Sequence, residues 1–577
     1  MTYAEILKKN AELKITLENI REFNILILSN IIVNQQKEIL EYTLRNEGVN
    51  VTVDIGNYDN IFQDSSTVGK REAVLIFWEA ANIIEGFAYR ADLLSKEKMQ
   101  DLMKKTQSQI LSVLNNLKSI PLVVFNSFSS APFTNENLGL NSFERFCTDL
   151  NLFITQNAPV NTIVADVNKV YSKLGIEKSV DFRYWYSSKS LYSIEFFKAY
   201  ANFVKPSFLA ITGKTKKALF LDCDNTLWKG IIGEDGLMGI NLSSTSKNGT
   251  VYEEVQSLIA SLAEKGIIIG LVSKNNAEDV DEVFMSHGDM VLKDEHIAIK
   301  RVNWEDKPGN VSAMAKQLNI GLDSCVFIDD SDFETDYMKE QNPEVSVFKV
   351  PSKIYQYPDL MRKINSLFFT LSKTKEDIER TNMYKSEQKR NEEKASFDSM
   401  EDYLTSLELI MTIYTDNITL APRIAQMTQK TNQFNLTTKR YTESEIHDFI
   451  QSDKYMVSAF GLRDKFGDAG ITGLCIIEFD NEKAKIDTFL MSCRVLGRHA
   501  EKAFMNEIIN ACKEKNIKKL TASYIKTPKN AQVSDFYQKS AFTATSKNES
   551  QTEYIMNVKE YFLNKINYIK IIYEKSN

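Results

Sequence analysis

Three short apolar runs in the middle of the chain each lead into a polar cluster. Phe220-Leu-Asp-Cys-Asp-Asn-Thr226 carries Asp222 and Asp224, Val272-Ser-Lys-Asn-Asn276 carries Ser273, and Phe327-Ile-Asp-Asp330 carries Asp329 and Asp330. In an open parallel sheet, chemistry gathers beyond the carboxyl ends of the strands, so loops there share one crevice. The order of the fragments therefore predicts that these side chains meet. Four carboxylates in one crevice need a cation, and oxygen donors with water completing the shell suit Mg²⁺ rather than zinc or copper. Asp222, Asp224, Asp329 and Asp330 are the expected metal-facing groups. With phosphate charge neutralised, Asp222 can act as nucleophile, and Asp224, two residues on, as general acid and then base. Ser273 and Lys307 would hold the phosphoryl oxygens and offset transition-state charge.

The elements that must position these groups are legible as alternation. Asn24-Ile-Leu-Ile-Leu28, Ala73-Val-Leu-Ile-Phe77 and Leu122-Val-Val-Phe125 have strand length and composition, with helical patterns between them. This predicts a first α/β domain over 1–210 with a mostly parallel sheet. A second α/β unit, 211–372, follows the basic connector Gly213-Lys-Thr-Lys-Lys217, with strands expected at Ala218 to Cys223, Ile267 to Val272 and Cys325 to Ile328. A charged stretch without Gly or Pro reads as a helical connector over 373–406. A third unit of α/β or α+β character is expected over 407–577, with strands at Leu409 to Tyr414, Ile471 to Phe479 and Ile486 to Met491 and a helix after Arg498. The fold class is thus multidomain α/β with a central Rossmann-like parallel sheet.

Composition narrows the functional classes. The 577 residues exceed what one core supports, and a net charge of -7 gives no phosphate-tracking surface, so no nucleic-acid partner is expected. No run of about 18 apolar residues occurs, so no membrane span is expected. The amphipathic, charged amino terminus lacks an apolar signal core, which fits a cytoplasmic protein. Six cysteines without CxxC spacing argue against disulfides and structural zinc.

The fragments together carry a family resemblance. LDCDNT continues the DxDxT signature of the haloacid dehalogenase superfamily, and the later fragments resemble its remaining motifs in order. LDCDNTLWKGIIGEDG, VSKNN, NWEDKPGN and FIDDSDFE resemble the phosphatase-like domain of FkbH-type proteins, and QMTQKTNQFNLTTKRY and LMSCRVLGRHAE extend the match to roughly 210–545. The fourth motif reads DDSDFE where Asn is expected after the paired aspartates. The resemblance implies a phosphatase and glyceryl transferase: it takes the acyl unit from 1,3-bisphosphoglycerate, a phosphorylated small molecule, and loads it on an acyl carrier protein. Within this set Thr226, Lys274 and Asn275 join Ser273 and Lys307 as phosphate-binding residues. The short stretch between the first two motifs leaves no room for a large cap, so an open site is expected.

The third unit resembles an N-acetyltransferase-like (GNAT-like) fold, in which the Arg494–Ala500 loop would hold pantetheine pyrophosphate, with Arg494, Gly497 and Arg498 the candidate contacts. Cys493, just before that loop and beside Arg494, is the candidate thiolate acceptor for an acyl group; the alternative is a packed, inert thiol. The first unit resembles an SGNH-hydrolase-like module with Ser29 at the serine position, but no histidine precedes His287. A scaffold or docking role is therefore expected for it. Two further readings stay open: a plain phosphatase of a sugar phosphate or biosynthetic intermediate, and a pathway scaffold without chemistry.

Overall fold

The computed structural model describes residues 1–134, 138–371, 383, 386, 390, 393–394, 397–527, 529–562 and 566–574. Most of the expected connector over 373–406 lies outside the described residues. The chain divides into two compact units, Met1–Thr212 and Gly213–Asn577. Both are of mixed α/β architecture, and among the described residues the strands form three sheets.

In the first unit, β1 (Phe23–Ser29), β2 (Val51–Ile55), β3 (Ala73–Phe77), β4 (Leu122–Asn126) and β5 (Thr162–Ala165) lie in the order β2-β1-β3-β4-β5, all parallel. The central strands β3 and β4 are buried along their whole length. Helices cover both faces of such a sheet, which is why these strands read as unbroken apolar runs rather than alternating ones.

The second unit opens with the sheet that carries the acidic fragments. Its strands β6 (Ala218–Leu221), β7 (Ile268–Ser273), β8 (Ile297–Val302), β9 (Cys325–Asp329) and β10 (Ser346–Lys349) are again parallel, in the order β10-β9-β6-β7-β8. β6 lies between β7 and β9 with Leu221 opposite Leu271 and Ile328. That register brings the three fragments to one edge. Two apolar layers sandwich the sheet. Leu219, Leu221, Val326 and Ile328 pack on one face with Tyr252, Val255 and Ile259, and Phe220 and Phe327 pack on the other with Val311 and Met314. The period of two along each strand decides which layer a residue joins.

The remaining strands build a larger, mostly antiparallel sheet. These are β11 (Leu409–Thr415), β12 (Phe434–Asn435), β13 (Tyr455–Asp464), β14 (Gly467–Asp480), β15 (Lys483–Met491), β16 (Lys519–Ile525), β17 (Thr543–Lys547), β18 (Gln551–Asn557) and β19 (Ile569–Glu574). β15 and β16 pair in parallel only over Lys483–Ile486 and Lys519–Ala522, then diverge. The short β12 fills the fork. Phe434 pairs with Met491 of β15, Leu436 donates its N–H to Phe489 O at 3.2 Å, and Leu436 O accepts from Ile525 N of β16 at 2.8 Å.

Candidate active site

The local sequence fixes each group. β6 ends at Leu221, so the strand period of two does not extend to Asp224. Asn225 instead turns the chain with a φ of 52°, a left-handed conformation that asparagine tolerates better than most residues. Its carbonyl accepts from the Tyr252 hydroxyl at 3.1 Å, and its side-chain oxygen accepts from Lys229 Nζ at 2.8 Å. Lys307 is the first residue of the helix Lys307–Gln317. Asp306 caps that helix by accepting from Gly309 N at 2.7 Å, and Pro308 follows at a position where no backbone donor is needed. Ser331 caps the helix Asp332–Gln341 and donates its own N–H to Asp329 Oδ1 at 2.9 Å.

These turns bring six of the expected side chains together. Asp222 Oδ1 accepts from Ser273 Oγ at 2.7 Å and pairs with Lys307 Nζ at 2.8 Å. Lys307 Nζ also pairs with Asp329 Oδ2 at 2.6 Å. Asp222 is 4% exposed, Lys307 4% and Asp329 0%. Asn275 Nδ2 bridges Ser273 Oγ at 3.1 Å and Asp224 Oδ2 at 2.9 Å. Burial works against the Lys307 charge, but Asp222 and Asp329 outweigh it and hold its pKa above the ordinary lysine value. Burial, and then the Asp222 charge, push Asp329 up to about 7 against the pull of Lys307. The same two causes raise Asp330.

Two expected phosphate-binding residues are placed otherwise. Lys274 Nζ pairs with Glu334 Oε1 at 2.7 Å rather than with the aspartates. Thr226 is fully buried, and its hydroxyl has no hydrogen-bond partner among the described residues. Asp224 Oδ1 accepts from Trp228 Nε1 at 2.9 Å and Ile232 N at 3.0 Å, so its carboxylate is fixed from both sides. Nothing in the strand pattern announced Trp228, although its spacing of four from Asp224 is a turn-closing distance. Gln256 was also missed. Fully buried, it donates to Leu227 O at 2.7 Å and accepts from Val291 N at 2.9 Å and Leu292 N at 3.0 Å, tying down the loop that carries Asp224.

A divalent cation fits this donor set. Carboxylate oxygens of Asp222, Asp329 and Asp330 all lie within 4.8 Å of one another. All-oxygen donors with at least two carboxylates suit a hard cation such as Mg²⁺. Asp224 stands outside this trio, its carboxylate turned to Trp228, Ile232 and Asn275.

The second group of candidates follows β15 of the last sheet, which ends at Met491. Cys493 is half-buried and opens a single helical turn, Cys493–Val495, with Leu496–His499 between it and the long helix Ala500–Glu514. Arg494 Nε donates to Ser492 Oγ at 3.1 Å. Arg498 is 5% exposed, with Nη1 3.3 Å from Asp464 Oδ2 and Nη2 donating to Arg494 O at 3.0 Å. Asp464 also takes a two-pronged contact from Arg390, at 2.7 and 2.8 Å. Gly497 has a φ of 80°, a conformation costly for any side-chain-bearing residue. The other five cysteines are buried; burial raises the Cys223 thiol well above its usual value, aided by the Asp222 charge.

In the first unit, Ser29 Oγ donates to Ile31 O at 2.8 Å and accepts from Ile31 N at 3.1 Å. The hydroxyl is thus engaged by its own turn. Nearby, the fully buried Glu79 accepts from the Tyr192 hydroxyl, and burial pushes its carboxyl up to about 7 against that hydrogen bond.

No protein-family model and no curated protein matches the chain. Among solved structures, it is similar to the N-terminal part of the protein BF1531 from Bacteroides fragilis, which contains a phosphatase domain and was crystallised with Mg. The identity is 23%, covering 64% of this chain and 100% of that one, with a TM-score of 0.57. At that identity the likeness is one of fold. Smaller likenesses are to the ribosomal-protein-S18-alanine N-acetyltransferase of Escherichia coli, at 13% identity over 26% of this chain and 94% of that one, TM-score 0.21. Another is to the PaiA N-acetyltransferase of Thermoplasma acidophilum, at 17% over 20% and 72%, TM-score 0.18. No helix among the described residues is long and apolar enough to cross a membrane.

Proposed function

We propose that the chain is a magnesium-dependent phosphatase and acyltransferase that removes phosphate at Asp222 and passes a three-carbon acyl group to a carrier protein. The observation that carries the phosphoryl half is the buried cluster in which Ser273 and Lys307 both point at Asp222 Oδ1 while Asp329 and Asp330 stand within metal-sharing distance. Asp222, Asp329 and Asp330 would hold the cation, which supplies charge neutralisation for an incoming phosphoryl group. Asp222 attacks phosphorus and the ester P–O bond breaks. Asp224, held by Trp228 and Ile232, protonates the leaving oxygen and then takes a proton from the water that hydrolyses the aspartyl phosphate. Lys307 and Ser273 offset charge on the transferring group.

The acyl half rests on Cys493 and on the FkbH-type resemblance. The Cys493 thiolate attacks the acyl-phosphate carbonyl, a C–S bond forms, the C–O bond to phosphate breaks, and inorganic phosphate leaves with the electron pair. The thiolate of the carrier's pantetheine arm then displaces Cys493. Incubation with 1,3-bisphosphoglycerate and Mg²⁺, followed by intact-protein mass spectrometry, tests this: an adduct that vanishes in Cys493→Ala is expected. An adduct of equal yield in Cys493→Ala contradicts the acyl half.

A second reading, phosphatase alone, is favoured by one specific observation. Arg498, expected to face a pantetheine pyrophosphate, is buried against Asp464. Phosphate release with no carrier loading would decide for it.

A further inference from the structure

The helix Lys307–Gln317 spans the distance between the two proposed reaction centres. At its first residue, Lys307 Nζ touches Asp222 and Asp329. Two residues beyond its last, Asn319 Nδ2 donates to the carbonyl of Cys493 at 3.2 Å. Eleven helical residues rise about 17 Å at ~1.5 Å each. The strands agree. Asp222, Ser273 and Asp329 sit at the carboxyl edge of the sheet, whereas the contacts to the Cys493-bearing sheet are at its amino edge. There Lys529 Nζ pairs with Asp323 Oδ2 at 2.5 Å, just before β9 begins at Cys325. At the same edge Gly213, ahead of β6, is packed so closely that a Cβ on it would lie 2.8 Å from an Arg440 nitrogen.

A three-carbon acyl group on a cysteine reaches about 7 Å from its Cα when extended, at ~1.5 Å per bond. It cannot reach the aspartates from the far end of that helix. We infer that no group is handed directly from one centre to the other within a chain. The acyl species leaves the first centre, free or on the carrier's arm, and enters the second as a separately bound molecule. The inference rests on the acyl-transfer reading above and specifies how its two halves are coupled.

Complementation in trans tests it. Asp222→Asn lacks the phosphoryl nucleophile and Cys493→Ala lacks the thiol, so neither alone places the dephosphorylated acyl group on the carrier protein. Mixed in one tube with 1,3-bisphosphoglycerate, Mg²⁺ and carrier protein, the two variants are expected to restore that product to within a few-fold of the wild-type rate at equal site concentration. Phosphate released beyond the one equivalent expelled per acyl group at Cys493, and the Cys493 adduct, read in the same tube, show that each intact centre is working. If both signals appear and the dephosphorylated carrier product does not, the hand-off is internal and the inference fails. If Cys493→Ala alone loads the carrier, the acyl-transfer reading fails, and the inference with it.

Discussion

The residue with the most exposed consequences outside the acidic cluster is Glu79. Its carboxyl is fully buried against Tyr192 and titrates near 7 rather than at the usual 4.5. The sign follows from proton binding. Below pH 4.5 the group is neutral whether the chain is folded or not, and costs nothing. Between about 4.5 and 7 only the unfolded chain releases the proton, so stability falls by ~1.4 kcal/mol per pH unit, then levels off above 7. The total is on the order of 3 kcal/mol. Glu79→Gln should therefore melt higher than the parent at pH 8 and approach it at pH 5; a gap that does not change with pH would contradict this. In the cluster itself, Ser273→Ala removes one donor to Asp222 while Lys307 remains, so kcat should fall by about 10- to 100-fold with little change in melting temperature. Asp222, Ser273 and Asp329 were legible because each closes an apolar run, and Asp224 because it stands two residues after Asp222. Trp228, Gln256 and the Lys274–Glu334 pair were not, since the partners of a turn residue are chosen by packing.

At the scale of elements, the site depends on loops held by buried polar ties rather than by strands alone. Gln256 is the clearest case. Gln256→Leu would leave Leu227 O, Val291 N and Leu292 N without a partner in a buried setting, at ~1–3 kcal/mol for each group that water cannot reach. A drop in melting temperature accompanied by loss of phosphatase activity is expected; unaltered stability would mean that water replaces the amide. The strands that read as continuous apolar runs, such as Ala73–Phe77 and Cys325–Asp329, were legible because both faces are covered. β8, Ile297–Val302, has a charged second half and was missed, although it leads to Lys307. β12 was illegible for another reason. Phe434-Asn435 lies in a polar stretch and is extended only because β15 and β16 diverge and leave backbone groups to satisfy.

For the whole molecule, the division at Thr212 separates a unit with one sheet from a unit with two, each unit with its own buried core. Residues 213–577 expressed alone should unfold in a cooperative transition and release phosphate within a few-fold of the full chain, because every group of the acidic cluster lies in that unit. An insoluble or inactive fragment would assign the first unit a part in the chemistry. The central claim is that Asp222 is the nucleophile of a magnesium-dependent phosphoryl site. The most direct measurement is phosphate release from 1,3-bisphosphoglycerate without carrier protein, beyond the one equivalent expelled at Cys493, by the wild type and by Asp222→Asn across a Mg²⁺ titration, with folding checked by circular dichroism. The expected result is a wild-type rate that saturates with Mg²⁺ and is abolished reversibly by EDTA, and a variant rate lower by about 10³-fold or more at every concentration. A folded Asp222→Asn that releases phosphate at the wild-type rate, with the wild-type metal dependence, would contradict the account.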